Sequence, residues 1–264
     1  MTARDRLRGL IAGAVAGLAG GLFGVGGGLL LVPLLTGQFS LSQHRAHGTS
    51  LAVIGATAVA SLFVYGSHSN VQWTTAAFVA IGSLVGAPLG ARWITRVPPT
   101  TLRRAFAVFI VLVALRLLWH APAVGERHML TGAALLAFCV GLGLVAGVLA
   151  GFMGVGGGTI VVPAFTLMFG MTQQAAQGTS LAVMLVTAPA ATIEHSRHGN
   201  VMWRLVPMLA LGAAAAAPLA AWAAQRLPHE WLVRVFALFL LVSAVHAWIG
   251  KRSDTSSAGG TGRS

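Results

Sequence analysis

Gly24-Val25-Gly26-Gly27-Gly28 stands inside an apolar segment that reaches Pro33, and the same words return as Gly154-Val155-Gly156-Gly157-Gly158 and Pro163, an offset of 130 residues. Consecutive glycines break a helix, because each interior Gly costs about 1 kcal/mol relative to Ala. A helix that restarts after Gly26, Gly27 and Gly28 offers unpaired N–H groups and the positive end of its dipole, equivalent to about +0.5 charge. Without Cβ atoms, the backbone there can be approached closely by an anion. Gly156, Gly157 and Gly158 supply a second end of the same kind. The chemistry on offer is non-covalent capture of a negatively charged group.

Hydroxyls recur in the same register. Gly48-Thr49-Ser50-Leu51-Ala52-Val53 matches Gly178-Thr179-Ser180-Leu181-Ala182-Val183, so Thr49, Ser50, Thr179 and Ser180 are candidate substrate contacts, able to cap a helix or to donate to a ligand. Gln43 and Gln173 are secondary candidates. Asn70 and Asn200 also repeat, each followed by Val-x-Trp, the pattern of a turn beside an interfacial Trp. His68 and His198 stand beside them and are candidates for handling a proton. Glu194 and His195 have Val64 and Tyr65 as counterparts, an asymmetry that sets them apart from a core site.

Catalysis and cofactor chemistry find little support. A hydrolase using Ser50 or Ser180 with a histidine is the competing reading, but a nucleophile and base are needed once, and here the serine motif stands twice. The glycines lack the following Lys-Ser/Thr and the β-strand context of a nucleotide loop. No histidine spacing suits a metal, and Cys139 is the lone cysteine, so no intrachain disulfide or CxxC pair exists. No catalytic residue, metal or cofactor is expected.

Composition decides the setting. Charged residues are 8% and apolar ones 56% of the chain, with a mean hydropathy of +0.81, whereas a soluble domain carries about a quarter charged residues. The chain is a membrane protein with the lipid bilayer as its solvent. The net charge of +12 comes largely from Arg at the ends of apolar runs, which is positive-inside patterning rather than a nucleic-acid surface. The five carboxylates, Asp5, Glu126, Glu194, Glu230 and Asp254, flank the runs or sit near an end. Cation carriers keep Asp or Glu within their spans, so a core without them suits a small anionic substrate. The pattern leaves room for a homo-oligomer.

The fold class expected is an all-α, polytopic inner-membrane protein built from two homologous repeats, inverted with respect to each other, each with a glycine-broken first segment. Repeat 1 covers 1–125, with a broken helix over 9–37 and helices over 47–66, 72–95 and 102–120. Repeat 2 covers 126–249, with a broken helix over 130–170 and helices over 177–195, 202–225 and 232–249; residues 250–264 form a disordered tail. The repeat argues against removal of the N-terminal segment as a signal peptide. Each broken segment either crosses once or folds back as a hairpin. The hairpin version places 13 Lys and Arg residues inside and 4 outside, against 10 and 7 for four crossings per repeat, and so follows the charge rule better. Inversion would aim the two helix ends at one another near the midplane, as in secondary transporters.

Phe23-Gly-Val-Gly-Gly-Gly-Leu-Leu-Leu-Val-Pro33, Met153-Gly-Val-Gly-Gly-Gly-Thr-Ile-Val-Val-Pro163 and the paired Gly-Thr-Ser-Leu-Ala-Val stretches resemble the TauE/SafE sulfite exporter family, over roughly Leu10 to Trp248. The resemblance implies export of sulfite, sulfoacetate or a related organosulfur anion across the bacterial inner membrane, with some relatives handling other small acids. The family's glycine motif falls on Gly24, Gly26, Gly27 and Gly28 and on Gly154, Gly156, Gly157 and Gly158. Members with seven to nine spans are common, a count that differs from three crossings per repeat. An anion channel is the remaining alternative to a carrier.

Overall fold

The computed structural model describes residues 3–93, 99–119, 125 and 132–249. The expected joint over 121–128, Gly125 excepted, and the expected tail over 250–264 lie outside them. The described residues form helices only, ten in number. In the first half these are α1 (Ala3–Phe23), α2 (Gly28–Gln38), α3 (Gln43–Ser67), α4 (Trp73–Trp93) and α5 (Pro99–Trp119). In the second they are α6 (Gly132–Met153), α7 (Gly158–Met168), α8 (Gln173–Arg197), α9 (Val206–Arg226) and α10 (His229–Ile249). Helices α1, α3, α4, α6, α8, α9 and α10 are long and apolar enough to cross a membrane. The two short helices, α2 and α7, have 11 residues each.

The glycine breaks form because only glycine tolerates their backbone. Gly24, Gly26 and Gly27 take φ of 66°, 71° and 79°, and Gly154, Gly156 and Gly157 take 68°, 82° and 82°, the left-handed region in which a Cβ is strained. After the turn the chain folds back. Leu31 and Leu35 of α2 pack with Ala16 and Ala12 of α1 and with Ala46 and Val53 of α3, so α2 returns beside the helix it left.

The halves interlock rather than sit side by side. Helix α1 lies along α9, and its counterpart α6 lies along α4. Small residues make these seams: a Cβ on Gly13, Gly17 or Gly21 would come within 2.4 Å of the carbonyl of Leu209, Ala213 or Ala217. The backbones therefore touch directly, as small-residue seams between membrane helices allow. At the centre α3 packs on α8, and α5 pairs with α10 at the edge, where Leu112, Leu238 and Val242 remain exposed as a lipid-facing surface would.

Direction can be read from the same contacts. Gly48, near the start of α3, lies against His195 and Asn200 at the end of α8, while Gly178 lies against Tyr65 and Asn70 at the end of α3. The corresponding helices α3 and α8 thus run antiparallel. In contrast α1 runs parallel to α9, with Gly13, Gly17 and Gly21 stepping along Leu209, Ala213 and Ala217.

Candidate functional site

Both breaks meet at the middle of the central helix pair. A Cβ on Gly28 would lie 2.7 Å from the Gly154 carbonyl oxygen, and one on Gly158 would lie 2.8 Å from the Gly24 carbonyl oxygen. Ile54 of α3 and Met184 of α8, which occupy corresponding positions, each border Gly26 and Gly156. The starts of α2 and α7 are capped by Gly27 and Gly157, with no side-chain hydrogen bond to either end. Gly27 accepts from the amides of Leu30 and Leu31, and Gly157 from those of Ile160 and Val161. The amides of Gly28, Leu29, Gly158 and Thr159 have no partner within their helices, as the geometry of a helix start requires.

Around this crossing the polar side chains divide into satisfied and unsatisfied. Ser50 donates to the Gly154 carbonyl at 2.9 Å. Its counterpart Ser180 is equally buried, yet its hydroxyl has no partner. Gln177 lies against Gly24, accepts from the Tyr65 hydroxyl at 2.9 Å, and keeps Nε2 unpartnered. One turn earlier on the same face, Gln173 is fully buried with both amide atoms unpartnered. Thr159, at the first turn of α7, has an unpartnered buried hydroxyl as well. Buried polar atoms almost always find partners, so a cluster of orphans calls for a missing water, ion or ligand. Gln173, Gln177 and Ser180 form a helical stripe at i, i+4 and i+7 that leads from the start of α8 toward the breaks.

The remaining candidates have partners of their own. Thr49 Oγ1 accepts from the Met202 amide at 2.9 Å, and Thr179 Oγ1 accepts from the Gln72 amide at 3.0 Å. Each threonine therefore fastens the turn that follows the opposite central helix. Asn70 belongs to the same lock: its carbonyl lies against Gly178, and its side chain donates to Gln225. The Asn200 carbonyl lies against Gly48. The Gly-Thr-Ser and Asn-Val motifs, far apart in sequence, are the two sides of one contact made twice. His68 and His198 are exposed at these turns, with Nδ1 against the carbonyls of Val64 and Glu194, away from the breaks. Gln43 is half-buried, unlike Gln173.

Sequence reasoning passed over Gln177, His47, Tyr65 and Thr159. Gln177 and His47 stand at the same offset of 130, one turn from Gln173 and Gln43 and one turn from Ser180 and Ser50. A polar position on that face of an apolar helix was the available signal. Glu194, the one described carboxylate within a central helix, pairs with Arg92 of α4 at 2.8 Å and with Arg197 at 3.4 Å, at the end of α8 and not at the breaks. Asp5 and Glu230 lie in the first turns of α1 and α10. No group of three or more His, Cys, Asp or Glu among the described residues could hold a metal.

Comparison with known proteins places this architecture. The chain is 26% identical over 257 residues to the probable membrane transporter protein YunE of Bacillus subtilis strain 168, covering 88% of this chain and 93% of the relative. It is 28% identical over 250 residues to a probable membrane transporter protein of Xylella fastidiosa strain Temecula1, covering 93% and 96%. A probable membrane transporter protein of Haemophilus influenzae strain Rd is 27% identical over 263 residues, covering 91% and 97%. No solved structure matches. The family described as Sulfite exporter TauE/SafE matches residues 2–117 and 139–263, and this multi-pass membrane protein belongs to it.

Proposed function

We propose that the chain is a secondary carrier that exports a small oxyanion, sulfite or an organosulfonate such as sulfoacetate, by alternating access. The observation that carries this reading is the crossing of the two breaks, where helix starts without side-chain caps converge with the unpartnered donors of Gln177 and Ser180. Helix starts and neutral donors attract an anion, and no carboxylate among the described residues lies at the crossing to repel it. Gly26, Gly27, Gly28, Gly156, Gly157 and Gly158 shape the site. Ser50 and Ser180 border it, and Thr49 and Thr179 hold the helices that frame it.

The antiparallel run of α3 and α8 supports inverted repeats, with the hairpins α1–α2 and α6–α7 entering from opposite sides. In such a fold, exchanging the conformations of the two repeats moves the opening from one side to the other. The repeats are unequal here. Gln173 and Gln177 are fully buried, while Gln43 and His47 are half-exposed, and α7 is buried where α2 is only partly so. The inequality fits a carrier open toward the start of α1. With the cytoplasm negative, outward movement of an anion is favoured by about 2.3 kcal/mol per charge per 100 mV, sufficient for export without an ion partner. A hydrolase is less well served, since the Ser50 proton is directed at a backbone carbonyl instead of a base.

Flux in proteoliposomes at an imposed membrane potential tests the proposal, with sulfite and sulfoacetate as cargo and sulfate and chloride as competitors. Saturable, potential-driven movement with counterflow is the expected result. Unsaturable flux would make the protein a channel, and no flux of any of the four anions would remove this cargo class.

A further inference from the structure

His47 and His195 occupy the place where the opposite repeat has Gln177 and Tyr65. At the Gln177 end the polar atoms meet: the single proton of the Tyr65 hydroxyl is shared between the Gly21 carbonyl and Gln177 Oε1, each at 2.9 Å. At the other end His195 Nε2 lies 2.7 Å from the Gly151 carbonyl. A carbonyl only accepts, so the ring proton of neutral His195 is on Nε2 and its Nδ1 is a bare acceptor. That Nδ1 is buried and has no partner. The Nδ1 of His47 is likewise buried and unpartnered, and its ring is near the Phe152 backbone. The two rings are near enough to interact electrostatically, and a Cβ on Gly48 would lie 3.0 Å from His195 Cβ.

We propose that His47 and His195 form a proton-binding pair at the second glycine break, loaded together with the anion. Two bare imidazole nitrogens are both acceptors, and neither can satisfy the other. A proton taken up on either Nδ1 turns that ring into a cationic donor, and its release returns the neutral pair. Charges and dipoles of both signs surround the pair. Gly151 and Phe152 are at the end of α6, where the helix dipole is negative. On α8, Glu194 precedes His195, with Arg92 of α4 and with Arg197 and His198 gathered round its carboxylate. On α3, His44 is the neighbouring titratable group; α6 contributes backbone alone, and the turn before α9 contributes the Asn200 carbonyl beside Gly48. His47 packs on Gly154, so the proton sits at the break whose helix start, at Gly158, faces the anion. Binding of either one then favours the other by the same factor.

This inference rests on the carrier reading for its coupling, but not for the proton site itself, and two measurements keep them apart. The variant for both is His47→Gln with His195→Tyr, which writes the Gln177–Tyr65 pair into the second position and preserves a donor to the Gly151 carbonyl. First, isotope-labelled histidine is followed by NMR in nanodiscs from mildly acidic to mildly basic pH without substrate. One proton taken up by the pair, with those signals absent from the double variant and His44 assigned by His44→Gln, is expected. A pair that stays neutral throughout overturns the proposal. Second, sulfoacetate, whose charge is constant across neutral pH, is driven through proteoliposomes containing a pH dye. Proton movement with sulfoacetate in the wild type, and sulfoacetate movement without protons in the double variant, is expected. Equal proton movement per sulfoacetate in both overturns the coupling. A wild type that takes up the proton in the NMR titration but moves no sulfoacetate keeps the proton site and removes the cargo.

Discussion

Tyr65 and His195 stand at corresponding positions of the two repeats and make the same bond with different chemistry, each to the carbonyl of a glycine in the turn before a break, Gly21 at 2.9 Å and Gly151 at 2.7 Å. Tyr65 is fully buried and also holds Gln177. Tyr65→Phe keeps the ring and leaves two buried acceptors without their donor, which costs about 1–3 kcal/mol for an unsatisfied group. Unfolding in detergent should move to lower denaturant or temperature by that amount. An unchanged midpoint would mean that water replaces the hydroxyl and that the bond holds nothing together.

The two serines of the repeated motif should behave differently although the motif is the same. Ser50 spends its proton on the Gly154 carbonyl, whereas Ser180 has no partner. Ser50→Ala should lower stability by about 1 kcal/mol with a small effect on substrate KM. Ser180→Ala should raise KM severalfold at unchanged stability, and Gln177→Leu should raise KM likewise while also losing the bond to Tyr65. Paired flux and unfolding measurements on the three variants check this. Equal KM effects at Ser50 and Ser180 would return the site to a symmetric arrangement of hydroxyls.

Much of this could be read from the chain before its structure. The offset of 130 that joins Gly24 to Gly154 and Ser50 to Ser180 shows two repeats, and three glycines in a row show where each first segment breaks. What a single helix pattern cannot show is which residues of the opposite repeat arrive at the break. The Thr49 hydroxyl reads from the sequence as a donor, and the sequence does not show that its oxygen accepts from the Met202 amide, 153 residues away. Gln177 and His47 differ in residue type, so they were not noticed as one position, and their meaning comes from Tyr65 and His195, brought close by the antiparallel crossing of α3 and α8.

The glycines of the breaks should be intolerant for two separable reasons. Gly27 and Gly157 have left-handed backbones, and a Cβ on Gly27 would come 2.1 Å from the Ala16 carbonyl, against 3.2 Å from Ala146 for Gly157. Gly27→Leu and Gly157→Leu should each abolish transport while the protein still inserts, with Gly27→Leu the less stable of the two. At Gly158 the backbone is helical, but a Cβ would lie 2.3 Å from Met184 Cε and 2.8 Å from the Gly24 carbonyl. Gly158→Ala should therefore impair the crossing itself, and Met184→Ala should partly restore it by removing the flexible obstruction. Flux assays with immunodetection of inserted protein decide; wild-type flux in Gly27→Leu and Gly157→Leu would remove the breaks from the mechanism.

Access should be one-sided and reversible. Gln43 and Gln173 are corresponding residues at the starts of α3 and α8, one half-buried and the other fully buried. Because α3 and α8 are antiparallel, these starts are at opposite ends of the molecule. Cys139 is free and fully buried, so it reacts little, and Cys139→Ser clears the background. In that background Gln43→Cys should react with a membrane-impermeant thiol reagent applied from the side of the α1 start, while Gln173→Cys stays protected from the other side. An excess of sulfoacetate on the far side should invert the pattern, exposing position 173 and covering position 43, because a carrier opens to one side at a time. Simultaneous labelling of both positions in the same molecules, under either gradient, would describe a continuous pore and exclude alternating access.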